Sequence, residues 1–259
     1  MKNSIKKIVF FTVLLFSNQL FAQNAHFIEN GVIEFEKRSN MHAIIKKKIG
    51  DQNQSYYGEA FEQYKKANPQ FKVSKSTLSF SKKKSLYKWQ SVDEPVNQNW
   101  LANDAFADLK NTVATDFDQQ KSLSQKNIFE EVYLVDDSLR KINWKITDET
   151  RTIAGFECRR ANALIMDSMY VVAYYSNEIA VSGGPESLTG LPGMILGLAL
   201  PHENMTWFAT KVTEVAVPEK DLVPPVKGKR ITGKGLDEIV KAALKNWAPN
   251  GASTKVFSF

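Results

Sequence analysis

The sequence predicts an α+β chain, mainly β, in which a large curved antiparallel sheet carries a few helices, one of them amphipathic and near the C-terminus. Three observations lead there. Apolar and polar residues alternate at period two in a long succession of short runs, the mark of strands with one face buried and one wet. Clusters of Gly, Pro, Asp, Asn and Ser separate the runs as turns do. Helical spacing shows in only three places, at Tyr56–Ala67, Asn97–Asp116 and beyond residue 235.

The first element is an address. Lys2, Lys6 and Lys7 precede the apolar run Ile8–Phe16, and Leu20-Phe21-Ala22 offers a small residue before Gln23. That layout is a secretory signal peptide over residues 1–22. A membrane-spanning helix needs about 20 apolar residues, and this run breaks at Ser17-Asn18-Gln19. Residues 23–259 then form a single β-rich domain with no transmembrane segment.

Gly31–Glu36 alternates cleanly and opens the sheet. Ser76–Phe80, Ser85–Trp89, Phe129–Val135, Lys141–Ile146, Gly155–Leu164, Met169–Ser176, Met194–Leu200 and Met205–Val215 continue it. Asp136-Asp137-Ser138, Thr147-Asp148-Glu149 and Asp167-Ser168 read as turns. Tyr57, Phe61 and Tyr64 recur at helical spacing, and Trp100, Leu101, Ala105 and Leu109 suggest a second helix within 97–116. Residues 221–235 are rich in Pro, Gly and Lys and read as a loop. Leu236, Val240, Ala243, Leu244 and Trp247 then form the apolar stripe of the terminal helix, with Asp237 and Glu238 in its first turn.

Composition narrows the function. The 259 residues carry 34 Lys and Arg against 28 Asp and Glu, with 43% hydrophobic and 24% charged residues. These are globular values, incompatible with a disordered or collagen-like chain. Removing residues 1–22 takes away three lysines and no acid, so the remaining 237 residues carry only +3. A nucleic-acid partner is therefore not indicated. One cysteine, Cys158, makes neither an internal disulfide nor a multi-thiolate zinc site. It reads as a small core residue. His26, His42 and His202 lack metal-ligand spacing, and no G-x-S-x-G elbow or phosphate loop occurs. No cofactor and no metal is expected. Lys46–Lys48 and Lys82–Lys84 read as lysines guarding a strand edge or turn.

Residues 174–201 stand apart. Gly183-Gly184-Pro185 and Gly190-Leu191-Pro192-Gly193 punctuate an apolar stretch, and Leu191-Pro192-Gly193-Met194 fits a type II turn. The uncharged run Met194–Leu200 is that of a strand buried on both faces or lining an apolar cavity.

Here the chain resembles the GLPGLI family of exported Bacteroidetes proteins. Gly190–Ile195 (GLPGMI) is similar to the family signature. Ile153–Ala161 (IAGFECRRA) resembles its I-x-G-[YF]-x-C-[KR]-[KR]-A strand. Ala173–Ile179 (AYYSNEI) resembles A-W-Y-T-x-E-I, and Gly184-Pro185 the Gly-Pro before the signature. Order and spacing agree over roughly 140–215. Asp167-Ser168 stands where members often carry Gly-Arg. Tyr174, Asn177, Ala180 and Met194 also depart from the common residues. The resemblance implies an envelope protein with no established catalytic residues, associated with outer-membrane TonB-dependent receptors. The strand pattern in addition suggests a fold similar to the lipoprotein-carrier proteins, a curved antiparallel sheet, half-barrel in form, closing over helices.

The leading functional expectation is a non-catalytic exported protein of the periplasm, outer membrane or cell surface that binds a hydrophobic ligand in the curved sheet. Tyr174, Leu191, Met194, Ile195, Leu198 and Trp207 are the candidate lining residues. The alternative is an interaction module for an outer-membrane receptor, working through loops such as 221–235. The third is a hydrolase, resting on the polar groups Glu178, Ser182 and Glu186.

Overall fold

The computed structural model describes residues 26–90, 100–128, 130–245, 257 and 259. The leader 1–22 lies outside the described residues, as does Trp247. Twelve strands form one open curved sheet: β1 (Gly31–Asn40), β2 (Phe71–Phe80), β3 (Lys84–Gln90), β4 (Thr112–Asp116), β5 (Lys121–Ile128), β6 (Glu131–Ser138), β7 (Lys145–Ile153), β8 (Phe156–Ile165), β9 (Met169–Ser176), β10 (Met194–Leu200), β11 (Met205–Glu214) and β12 (Lys229–Ile231). Their order is β12-β6-β5-β4-β3-β2-β1-β11-β10-β9-β8-β7. Every pairing is antiparallel except the short parallel one of β12 on β6. The register slips between Glu34 and Phe35 in β1, between Ile195 and Gly197 in β10, and between Ile146 and Thr150 in β7. Such irregularities bend strands and raise the local twist.

Period two decides which side chains enter the core. β1 buries Gly31, Ile33, Phe35, Lys37 and Ser39. Register carries that face across the sheet: Ile33 sits beside Leu78 and Leu78 beside Tyr87, while Lys37 pairs with Trp207 and Trp207 with Leu198. The opposite face has its own small cluster, Leu86, Ala114 and Leu222, which anchors the segment after β11.

Three helices complete the chain. α1 (Met41–Lys48) starts where the Asn40 side chain accepts the Ala43 N–H at 3.1 Å, an N-cap. Lys46–Lys48 fill its last turn, where cations complement the helix dipole, so that lysine run belongs to a helix end and not to a strand. α2 (Gln54–Ala67) is the helix predicted from Tyr57, Phe61 and Tyr64, and it buries Phe61 and Tyr64. α3 (Gly233–Lys245) is the terminal amphipathic helix. Leu236 and Val240 pack on Ile128, Tyr133 and Val135 of the sheet, whereas Ala243 is exposed. It begins earlier than expected, with the Thr232 hydroxyl accepting the Gly235 N–H at 3.2 Å. Asp237 and Glu238 consequently lie beyond its first turn.

Four expectations need correction. Residues 100–111 hold a short 3-10 turn (Trp100–Ala102) and no α-helix, and β4 follows. The carbonyls of Phe106 and Ala107 accept from the Lys37 ammonium. That tertiary bond ties 106–107 to β1, and the local backbone bonds make only isolated turns, Asp108 N–H to Asp104 O and Leu109 N–H to Phe106 O. Residues 141–144 are not a strand, because Trp144 turns away to donate its Nε1–H to the Thr189 carbonyl at 2.9 Å. Thr147-Asp148-Glu149 is the irregular stretch inside β7, and Asp136-Asp137-Ser138 ends β6. The Asp167-Ser168 turn is present, with Met166 and Asp167 at φ 48° and 64°.

Candidate functional site

The signature segment enters the core as a tightly bent ribbon. The Val181 and Gly183 N–H groups donate two residues back, to Ile179 and Val181, and Gly193 N–H does the same to Leu191 at 2.8 Å. These are three-residue turns. A type II turn at Leu191–Met194 is thereby replaced. Met194 N–H donates to the Ile179 carbonyl instead, and Gly193 takes φ 150°, far from the roughly +80° of that turn. The Ser182 hydroxyl accepts the Gly190 N–H at 3.0 Å and so closes the loop.

The six candidate lining residues all lie in this core. Leu191, Met194, Ile195, Leu198 and Trp207 are buried to 2% exposure or less, and Tyr174 to 9%. They belong to one packed cluster that also holds Cys158, Ile179 and Leu188. Tyr174 faces a different neighbourhood from Trp207. Its hydroxyl donates to Glu149, which is paired with Arg160, and Arg151 lies over the Tyr174 and Phe208 rings. None of the six lines the open groove described below.

Cys158 is fully buried, and burial followed by the nearby Glu178 carboxylate pushes its thiol up to about 12. The thiolate is the reactive species. The expected result is that native protein at pH 8 does not react with a thiol reagent on the minutes scale, while denatured protein reacts at once. Fast native labelling would contradict the packing.

A polar cluster lies under the signature loop, and only Glu186 in it was singled out from the sequence. Glu186 sits at φ 57°, 4% exposed, and its Oε2 accepts from the Asn111 amide at 2.9 Å. Around it are Lys37, Lys126, Tyr87 and Ser76, all 5% exposed or less. Lys37 donates to the carbonyls of Phe106 and Ala107, and its Nζ lies 5.0 Å from the centre of the Trp207 ring. Burial pushes the ammonium down to about 8, against the pull of Glu186, Asp108 and Asp104. Lys126 falls to about 8 for the same first reason, with Glu186 opposing and Arg140 adding to the fall. Tyr87 is held well above the usual phenol range by burial and then by Glu186. Ser76 Oγ and Trp207 Nε1 approach it without reaching hydrogen-bond geometry. The β1 alternation, carried one step past Glu36, places Lys37 inward. Lys126 had no such signal, because β5 presents serines to the core side and Leu123 to the other.

The other polar candidates are dispersed. Glu178 is exposed, and His202 is exposed in the 3-10 turn Pro201–Glu203. His26 pairs with Glu214 at the surface. Among the described residues no three His, Cys, Asp or Glu side chains converge as metal ligands, and no helix is long and apolar enough to cross a membrane.

The rim is open where the core is filled. A groove of about 450 Å³ runs between α1 and α2, lined by Asn40, His42, Lys46, Phe61, Glu62 and Gln70 among others. Away from the groove-lining face of α2, Tyr56, 71% exposed, and Trp100, 48% exposed, gather with half-buried Tyr57. Their ring centres lie 5.1 to 6.2 Å apart.

Fold and site together define a β-rich domain built on one curved sheet, with a packed concave face and an aromatic, polar rim. Residues 96–231 match the family described as "N-glycanase peptide, N-terminal domain", and the chain belongs to that family. Two solved structures of PNGF-II are similar to it. One, in a C2 crystal form, has a TM-score of 0.50 at 14% identity, covering 79% of this chain and 31% of that one. The other, in a P21 form, has a TM-score of 0.48 at 17% identity, covering 78% and 32%. The chain thus spans about a third of the length of these proteins, and the first of them shows the shared fold. No curated protein matches the chain.

Proposed function

We propose that this chain is an exported, non-catalytic recognition domain of the cell envelope, and that it engages a carbohydrate-bearing polypeptide through its rim. The carrying observation is the aromatic group of Tyr56, Tyr57 and Trp100, whose ring centres lie 5.1 to 6.2 Å apart with Tyr56 and Trp100 exposed. Large aromatics left in water on one side of a domain mark contact surfaces. The ligand class is taken from the N-glycanase name of the family. The exported location rests on the leader and on the resemblance to the GLPGLI proteins.

Two features support recognition over hydrolysis. Ser182 and Glu186 are committed to holding the loop, and Glu178 stands apart from them in solvent. The packed state of Leu191, Met194, Ile195, Leu198 and Trp207 favours the rim over a hydrophobic ligand behind the signature. Such a ligand would have to displace core side chains.

The test is binding of an N-glycosylated protein and its deglycosylated form to the wild type and to a Tyr56→Ala/Trp100→Ala variant. The expected outcome is preference for the glycosylated form and a loss of at least 10-fold in the variant, since two exposed aromatic anchors at about 1–2 kcal/mol each carry the contact. Equal binding of both forms, lost in the variant, would move the reading to a protein partner such as an outer-membrane receptor. Binding unchanged in the variant would remove the rim from consideration.

A further inference from the structure

Lys126 presents a problem that the surrounding protein leaves unsolved. Its ammonium is 5% exposed and, among the described residues, donates to nothing. An ammonium has three N–H donors, and leaving them buried and empty costs more than any other side chain in this core. Its place in the sheet is fixed: Lys126 pairs with Tyr133 across β5–β6. Thr112 pairs with Gln125, so Asn111 falls in the same row.

The charges that reach Lys126 do not neutralise it. Glu186 attracts it and Arg140 repels it. Glu186 is already hydrogen-bonded to Asn111 and shared with Lys37, while Arg140 is drawn toward Asp137 and Asp237. The acids on the far side, Asp104 and Asp108, are taken by Lys48 and Lys72. A buried water would satisfy donors but would leave a desolvated cation uncompensated, whereas an anion does both.

We infer that the cluster beneath the signature loop is a binding site for a small hydrogen-bond-accepting monoanion, a halide or short carboxylate, anchored by the Lys126 ammonium beside Asn111 and Glu186. The site is separate from the rim and stands whether or not the rim binds a glycoprotein. Its occupancy ties β4, β5 and the loop 182–190 together, so it reads out as stability.

The experiment follows thermal unfolding of the intact chain at constant ionic strength while gluconate, a bulky polyhydroxy carboxylate, is exchanged for chloride, bromide, formate or acetate. The expected result is a saturable rise in Tm, roughly 5 °C or more when the anion exceeds its Kd about 100-fold. Lys126→Met should abolish the rise, and Lys121→Met, on the exposed end of the same strand, should keep it. Chloride-35 NMR of the wild type gives a readout that needs no variant: line broadening relieved by formate is expected. Identical Tm values in all anions, or an unbroadened chloride line, would overturn the site.

Discussion

Replacing Gly193 by alanine is expected to cost about 4 kcal/mol or more, among the largest effects of any single substitution outside the centre of the core. A Cβ there would lie 2.1 Å from the Ser176 carbonyl oxygen, 2.8 Å from its carbon and 3.1 Å from the Asn177 Cα. All three are backbone atoms at the end of β9, and neither strand can retreat, because Met194 is paired with Ser176 and buried completely. The φ of 150° adds backbone strain. Gly155 is the internal control. It has φ 90° in the two-residue turn joining β7 and β8, and its Cβ would meet nothing within 4 Å. Gly155→Ala should therefore cost only the conformational penalty, about 1–2 kcal/mol. For a chain of this size the pair should separate in Tm by roughly 5–10 °C. Equal losses in thermal unfolding would show that close approach does not govern the signature glycine. The functional weight of the G-L-P-G pattern is then structural: it lets a bent ribbon lie flat on β9.

What the sequence made legible follows from local pattern. β9 and β10 were read to the residue because each is apolar over seven or eight positions and bounded by turn residues. α2 was read because its three aromatics keep helical spacing. Where long-range contacts overrule local preference, the sequence misleads. Residues 100–111 carry helix formers, but Lys37, about 70 positions away in the chain, ties the Phe106 and Ala107 carbonyls to β1. Trp144 leaves the sheet for Thr189, again a distant partner. The six apolar candidates around the signature were read as lining residues, and hydrophobicity alone does not distinguish the wall of a cavity from solid core. The polar cluster was almost invisible. A lysine inside a sheet breaks the apolar-in rule, and the residues that meet at Glu186 come from β1, β2, β3, the turn before β4, and β5. Only Glu186 itself attracted notice, as a polar group near the signature. The rim aromatics were split between two expected helices, and nothing local says that Tyr56 and Trp100 come together.

Alkaline pH should stabilise this protein. Lys37 and Lys126 have folded pKa values of about 8, against about 10.4 in an unfolded chain. Between those limits the unfolded chain carries two protons that the folded chain has released. The unfolded state binds more protons, so unfolding free energy rises with pH. Each amine contributes about 2 kcal/mol between pH 8 and 9.5, at 1.36 kcal/mol per pH step. Tyr87 opposes this only above about pH 10. There the unfolded phenol ionises while the folded one, held well above that range, keeps its proton. The measurement is the urea midpoint at pH 7.5, 8.5 and 9.5 in gluconate. Stability should climb by about 3–4 kcal/mol in all, a direction opposite to that of a protein held by exposed lysine ion pairs. Lys37→Met and Lys126→Met should each remove about half of the slope; Lys126→Met, whose ammonium donates to nothing among the described residues, should also be more stable than wild type at pH 7.5, whereas Lys37→Met leaves the Phe106 and Ala107 carbonyls without their donor and should be less stable. In chloride or formate the slope carried by Lys126 should shrink further, since a bound anion holds its proton. A midpoint flat or falling from pH 7.5 to 9.5 in gluconate would mean that the two ammonium groups are solvated, and the cluster beneath the signature loop would lose its place as a site.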